Sequence, residues 1–242
     1  GVTTDSSGNI YVTGYNYGEI DGNTVLRRTD IFLLKYNSSG TKQWTKQLGT
    51  SLKTVIMNQY TYSENTGNGV TTDSSGNIYV TGSTGGGLDG NTSSGGNDII
   101  LVKYNSSGTK QWTKQLGTSS TDAGNDVTTD SSGNIYVTGV TRGGLDGYTS
   151  SGGNDIFLVK YNSSGTKQWT KQLGTSETDS SDNIYVNESG NGVTTDSSDN
   201  IYVTGCTYGE IDGNTSSGGL DIFLIKYNSS GTKQWTKQLG TS

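Results

Sequence analysis

Four aspartates, Asp5, Asp73, Asp130 and Asp196, stand at the same place in four near-copies of one segment, "VTTDSS". Four convergent carboxylates could hold a hard cation such as Ca²⁺ through oxygen ligands, so they form a candidate metal ring. The local sequence offers a simpler account. Each Asp opens "D-S-S-G-N" or "D-S-S-D-N", where an acidic side chain caps a type I turn. A second set of carboxylates, Glu19 with Asp21 and Glu210 with Asp212, has the residue types that glycoside hydrolysis uses. Their near-identical settings argue against it, because an acid and a base need different environments. Trp44, Trp112, Trp169 and Trp235 could stack on sugars, although packing between sheets accounts for them better.

Several chemistries are excluded outright. The chain has no His, which removes Ser-His-Asp and Cys-His catalysis and any His-ligated metal. Cys206 is the only cysteine, so neither an internal disulfide nor a thiolate cluster can form. It occupies a position held by Tyr15, Ser83 and Val140 in the other copies and reads as a tolerated small residue. A net charge of −6 with few Arg disfavours a nucleic-acid partner. No apolar run approaches the length of a membrane span. No cofactor is implied beyond a Ca²⁺ that the aspartate ring could take. The chain starts without Met or a signal segment and reads as a processed or excised piece.

The elements that position these residues follow from repetition. Copies of one unit begin at Gly1, Gly69, Asp126 and Gly192, and "KYNSSGTKQWTKQLGTS" recurs unchanged at 35–51, 103–119, 160–176 and 226–242. Each copy reads as four strands. "VTTD" is strand A, "IYVTG" strand B, "DIFLVKY" strand C and "TKQWTKQL" strand D. In strand D strict alternation places Lys42, Trp44, Lys46 and Leu48 on one face. The A–B and C–D turns, "DSSGN" and "NSSGT", carry the chemistry of a type I turn followed by a left-handed Gly, the signature of a tight hairpin. In the fourth copy Asp199 replaces that Gly, and Asp tolerates the same conformation.

A repeated four-stranded antiparallel meander is a propeller blade. Apolar B and C strands between more polar A and D strands fit blades that pack through both faces. "GVTTDSSGNIYVTG…DIFLVKYNSSGTKQW" resembles the bacterial SBBP β-propeller repeat and is more distantly similar to NHL and YVTN repeats. The resemblance covers nearly the whole chain and implies an extracellular or bacterial-surface location without a shared activity. The family name implies seven blades, and this chain supplies four. The expected fold is therefore all-β: a β-propeller of four four-stranded antiparallel blades, alone or within a larger or oligomeric ring. The blades are 1–51, 69–119, 126–176 and 192–242 of a single domain, 1–242, with insertions at 52–68 and 177–191. The second insertion contains "TDSSDNIYV", a copy of the fourth A–B hairpin, and predicts an extra hairpin.

Alternating strand direction puts the constant turns on one side and all variable connections, B–C and D–A, on the other. Loops on a rigid scaffold commonly carry binding function. The candidate ligand residues are accordingly Tyr15, Tyr17, Glu19, Asp21, Arg27 and Arg28 in the first B–C loop. Tyr148 belongs to the third loop, and Tyr208, Glu210 and Asp212 to the fourth. The functional expectation is a non-enzymatic scaffold that binds a protein or glycan through these loops. The alternative is a structural repeat protein that self-associates, and a carboxylate glycosidase ranks last. The exposed Lys, Gln and Thr of the invariant segment find no packing role in the sequence, which leaves recent duplication to explain their identity.

Overall fold

The structure is a computed structural model that describes residues 1–23, 29–50, 53–56, 59–62, 64–175 and 188–241. It contains four four-stranded antiparallel sheets and one two-stranded hairpin. Sheet I comprises β1 (Val2–Thr4), β2 (Ile10–Asn16), β3 (Asp30–Tyr36) and β4 (Lys42–Leu48). A hairpin of β5 (Lys53–Ile56) and β6 (Gln59–Tyr62) follows. Sheet II holds β7 (Asn65–Thr72), β8 (Ile78–Thr84), β9 (Asp98–Tyr104) and β10 (Lys110–Leu116). Sheet III holds β11 (Asp122–Thr129), β12 (Ile135–Thr141), β13 (Asp155–Tyr161) and β14 (Lys167–Leu173). Sheet IV holds β15 (Ser189–Thr195), β16 (Ile201–Thr207), β17 (Asp221–Tyr227) and β18 (Lys233–Leu239). The expected A-B-C-D meander is present in each sheet. The hairpin expected within the second insertion falls largely on residues 176–187, outside the described residues.

The turn chemistry holds in detail. Gly8, Gly40, Gly76, Gly108, Gly133, Gly165 and Gly231 have positive φ, and Asp199 takes the same conformation at φ 59°. The strands differ from expectation at two points. First, the second, third and fourth A strands begin upstream of "VTTD", at Asn65, Asp122 and Ser189, the second and fourth through bulges at Gly67/Gly69 and Gly190/Gly192. The extra residue, Asn68 or Asn191, leaves the ladder. Asn68 Nδ2 then donates to the Gly124 carbonyl at 2.9 Å.

Second, each D strand starts with a bulge. In sheet I Lys42 pairs with Tyr36 and Trp44 with Lys35, which leaves Gln43 as the extra residue. Cross-strand partners share a face, so Lys42 moves to the face of Thr45 and Gln47. The simple alternation that grouped Lys42 with Trp44 is thereby corrected. Each sheet has a Trp face (Ile31, Leu33, Trp44 and Leu48 in sheet I) and a Gln face (Phe32, Leu34, Lys42, Thr45 and Gln47).

The chain groups into two compact units, Gly1–Gly124 and Asn125–Ser242. In the first, the Trp face of sheet I packs on the Gln face of sheet II. Tyr11, Ile31, Leu33 and Leu48 meet Val70, Val80, Ile100 and Val102 in one core. In the second, Tyr136, Ile156 and Leu158 of sheet III meet Val193, Val203, Phe223 and Ile225 of sheet IV. Burying these aliphatic side chains supplies the main drive to stack blades, roughly 1.5–3 kcal/mol for each fully buried one.

Candidate functional site

The loops between the B and C strands carry most of the candidate residues, and one polar network fixes each of them. Its parts lie on strand D. Gln115 Nε2 donates to the Gly86 carbonyl at 3.1 Å and to Asp98 Oδ2 at 2.6 Å, while its Oε1 accepts from Leu88 N–H at 3.0 Å. Gln172 repeats this with Gly143, Asp155 and Leu145 at 3.0, 2.6 and 2.9 Å. Gln238 repeats it with Gly209, Asp221 and Ile211 at 3.0, 2.7 and 3.0 Å. Gln47 makes the same set with Gly18, Asp30 and Ile20, at 3.4, 2.9 and 3.4 Å. One side-chain amide therefore satisfies a loop donor, a loop acceptor and a buried carboxylate.

The second clamp is an aspartate with positive φ: Asp21, Asp89, Asp146 and Asp212, at φ 54, 53, 52 and 56°. Lys42 and Lys110 reach Asp21 and Asp89 at 2.5 Å, and Lys167 and Lys233 pair with Asp146 and Asp212. Thr45, Thr113, Thr170 and Thr236 donate to the other oxygen of each carboxylate. The bonds from Lys42 and then Thr45 hold the Asp21 carboxyl below the usual range. The bulge makes the pairing available, because it turns Lys42 toward the loop. The leading Asp of each C strand forms the third clamp. Asp98, Asp155 and Asp221 are fully buried and accept from the backbone of Ser94, Ser151 and Ser217 at 2.9 to 3.0 Å.

These contacts give the invariant Lys, Thr and Gln a role that duplication alone does not. Their signal in the sequence is the joint invariance of "DG", "DI" and "KQWTKQ". Without the bulge, Lys and Gln project to opposite faces and the connection is hidden.

The predicted ligand residues divide accordingly. Asp21 and Asp212 are clamp residues. Tyr148 replaces the loop Asn of the other copies and donates through its hydroxyl to the Thr170 carbonyl at 3.0 Å. Asn91 Nδ2, its counterpart in the second copy, reaches the Thr113 carbonyl at 3.4 Å. Tyr15 and Tyr17 are 50% and 67% exposed and meet edge to face at 6.0 Å. Tyr208, the counterpart of Tyr17, is 39% exposed. Glu19 and Glu210 are exposed beside them. Arg27 and Arg28 lie outside the described residues.

The recurrent turn aspartates are committed to their own hairpins. Asp130 Oδ1 accepts from Ser132 and Asn134 N–H at 3.0 and 2.8 Å, and Oδ2 from Asn134 Nδ2 and Tyr136 Oη at 2.7 and 2.8 Å. Asp5, Asp73 and Asp196 receive the same four donors. Bonds from the Asn200 side chain and backbone bring Asp196 down to about 2. Among the described residues no three His, Cys, Asp or Glu side chains cluster as a metal site.

Each Trp pairs with a Tyr of strand B. Trp44 and Tyr11 lie 6.1 Å apart, with Lys46 and Lys35 over the two rings. Trp44 and Trp169 pack against the two apolar cores, as the packing account expects.

The family model described as a beta-propeller repeat, SBBP, matches residues 43–89 and 111–146. Both segments match the repeat that the sequence resembles. Each matched segment runs from strand D through the next A and B strands and ends on a clamp aspartate, Asp89 or Asp146. A regulatory protein, FlaEY of Caulobacter vibrioides, is 28% identical over 207 residues, which are 77% of this chain and 20% of that protein. An uncharacterized WD repeat-containing protein, L264 of Acanthamoeba polyphaga mimivirus, is 29% identical over an alignment covering 99% of this chain and 22% of that protein. The chain thus spans about a fifth of the length of these relatives. A crystal structure of a Bacteroides caccae protein of unknown function aligns with 98% of this chain and 80% of that one, at a TM-score of 0.44 and 11% identity. Among the described residues no helix is long and apolar enough to cross a membrane.

Proposed function

We propose that this chain is a non-enzymatic repeat scaffold that binds a protein or glycan partner through its B–C loops. One observation carries the reading: within each loop a clamped residue alternates with variable ones. Gly18, Gly86, Gly143 and Gly209 are each held by a strand-D Gln. The residue before them is Tyr17, Gly85, Arg142 or Tyr208, and the residue after is Glu19, Gly87, Gly144 or Glu210. A constant frame thus presents changing side chains, among them exposed aromatics. A loop backbone held in place before binding loses little freedom on contact, which favours its aromatic side chains as anchors.

The repeat family and the names of the relatives, a regulatory protein and a WD repeat-containing protein, support a scaffold over a catalyst. A glycosidase reading would need Asp21 or Asp212 as acid or nucleophile, while Lys and Thr occupy both oxygens of each. The resemblance to surface-exposed repeats favours a location outside the bacterial cell. Glycan and protein arrays probed with the chain and with a Tyr17→Ala/Tyr208→Ala variant test the proposal. A binder lost on substitution supports it. An absence of binders on both arrays, or a binder indifferent to both rings, refutes it.

A further inference from the structure

A buried carboxylate stands where the other compact unit has an amide. Asn65 opens strand A of sheet II, and Glu188 holds the same place just before strand A of sheet IV. Both are buried. On one side each meets the preceding sheet, at the leading Asp of strand C and the glycine that follows strand D. A Cβ built on Gly49 would run into Asp30 Oδ1 and lie 3.4 Å from Asn65 Nδ2. A Cβ built on Gly174 would run into Asp155 Oδ1 and lie 3.0 Å from Glu188 Oε2. An amide nitrogen in one unit is thus replaced by a carboxyl oxygen in the other. Asp155 Oδ1 is buried without a hydrogen-bond partner among the described residues, a costly state for an acceptor. Asn65 presents an N–H group to this spot at any pH, whereas Glu188 presents a donor only when protonated.

On the other side the same residue supports a B–C loop of its own sheet. Thr84 Oγ1 donates to Asn65 Oδ1 at 2.7 Å, and Thr207 Oγ1 to Glu188 Oε1 at 3.5 Å. These hydroxyls also hold the clamped loop glycines. Gly86 N–H donates to Thr84 Oγ1 at 3.4 Å, and Gly209 N–H to Thr207 Oγ1 at 3.2 Å. The Thr207 hydroxyl divides its own proton between Glu188 and the Gly209 carbonyl, 3.1 Å away. Thr175 adds a second link. Its N–H and Oγ1 donate to Glu188, and a Cβ built on Gly209 would run into that same Oγ1. Gly209 lies between Tyr208 and Glu210, two of the variable positions of the fourth B–C loop. Among the described residues the charged group facing Glu188 is Asp155 of β13, while the end of β14 presents Thr175 and β16 presents Thr207. Burial, with the Asp155 charge behind it, raises the Glu188 carboxyl to about 7.

We propose that Glu188 is a proton-operated positioning residue for the fourth B–C loop. When protonated, it donates from Oε2 to Asp155 Oδ1 and keeps Oε1 as the acceptor of Thr175 and Thr207, the arrangement that Asn65 holds at every pH in sheet II. When the proton leaves to solvent, two carboxylates face each other in a buried space, which neither tolerates. Asp155 is tied down by Gln172 and by the Ser151 N–H, so the longer Glu188 is the group that yields. Its withdrawal takes the acceptor from Thr175 and Thr207, and the contact of both with Gly209 changes. Tyr208 and Glu210 are then displayed differently on the two sides of the transition, while the second loop, resting on Asn65, is indifferent to it. The inference concerns the shape of the loop and is independent of its binding a partner.

Two-dimensional NMR of the intact chain, titrated from about pH 5 to about pH 9, tests it. In the wild type the Gly209 amide and the Tyr208 ring resonances should shift together with a midpoint near 7, and the Gly86 amide should stay flat. Glu188→Gln keeps an acceptor for Thr207 and presents an amide to Asp155, so the Gly209 transition should vanish. Asp155→Asn removes the facing charge, so the midpoint should fall to lower pH. Circular dichroism melts confirm that both variants fold. A Gly209 amide without a transition in the wild type overturns the proposal. So does a transition that survives Glu188→Gln, or a midpoint that Asp155→Asn leaves in place.

Discussion

Glu188 makes stability depend on pH in a way a single substitution can isolate. It is 1% exposed and its two oxygens accept from Thr175 N–H at 3.0 and 2.9 Å. Thr175 Oγ1 and Thr207 Oγ1 donate to it as well. Burial, aided by the negative Asp155, outweighs these bonds and raises its pKa from 4.5 to about 7. The folded chain thus holds this proton more tightly than the unfolded chain does. The resulting stabilisation is fully present below about pH 4.5 and is lost as pH rises through about 7. A shift of this size corresponds to about 3 kcal/mol. For a unit of this length that is on the order of 10 °C in Tm. Asp126 is also raised by burial, but its contribution is common to wild type and variant and cancels in the comparison. Calorimetric melts of wild type and Glu188→Gln at about pH 5 and about pH 8 measure the effect. The wild type should lose much more Tm between the two conditions than the variant. Equal losses would refute the reasoning.

Other consequences follow from the clamps and turns. Asp130→Ala removes the acceptor of four bonds and leaves the buried Tyr136 hydroxyl without its carboxylate, so urea unfolding should show a loss of about 2–4 kcal/mol. Asp212→Asn removes the charge from a partly exposed pair with Lys233 and keeps one oxygen to accept from Thr236, so the same assay should register no more than about 1 kcal/mol. Millimolar calcium should leave Tm unchanged, since the turn aspartates already serve their own hairpins. A clear rise in Tm would revive the metal ring.

The architecture could be read from the sequence because the decisive signals were local. "DSSGN" and "NSSGT" announce tight turns through the residue types such turns require, and Asp199 fits the same rule. The site was less accessible because its contacts depend on register. A single extra residue at Gln43 moves Lys42 across the sheet, and only that shift brings it to Asp21. Alternation counted along the strand misses this, since a bulge is set by pairing with strand C. Asp98 and Asp155 resemble ordinary strand-edge residues until the loop is seen folding back over them. The exposed Tyr residues were identifiable from loop position alone, because no strand periodicity required their burial. The alternation of clamped and variable positions becomes visible only when Gln115 and Gly86 are placed in contact.

The central claim is that the invariant strand-D segment holds the variable loops in one conformation. Amide hydrogen exchange at Leu88 and Ile211 tests it most directly, because both N–H groups donate to strand-D glutamines. Both amides should be protected in the wild type. Gln238→Leu should abolish protection at Ile211 while leaving Leu88 unchanged. Rapid exchange at both positions in the wild type, or protection of Ile211 that persists without Gln238, would contradict the claim.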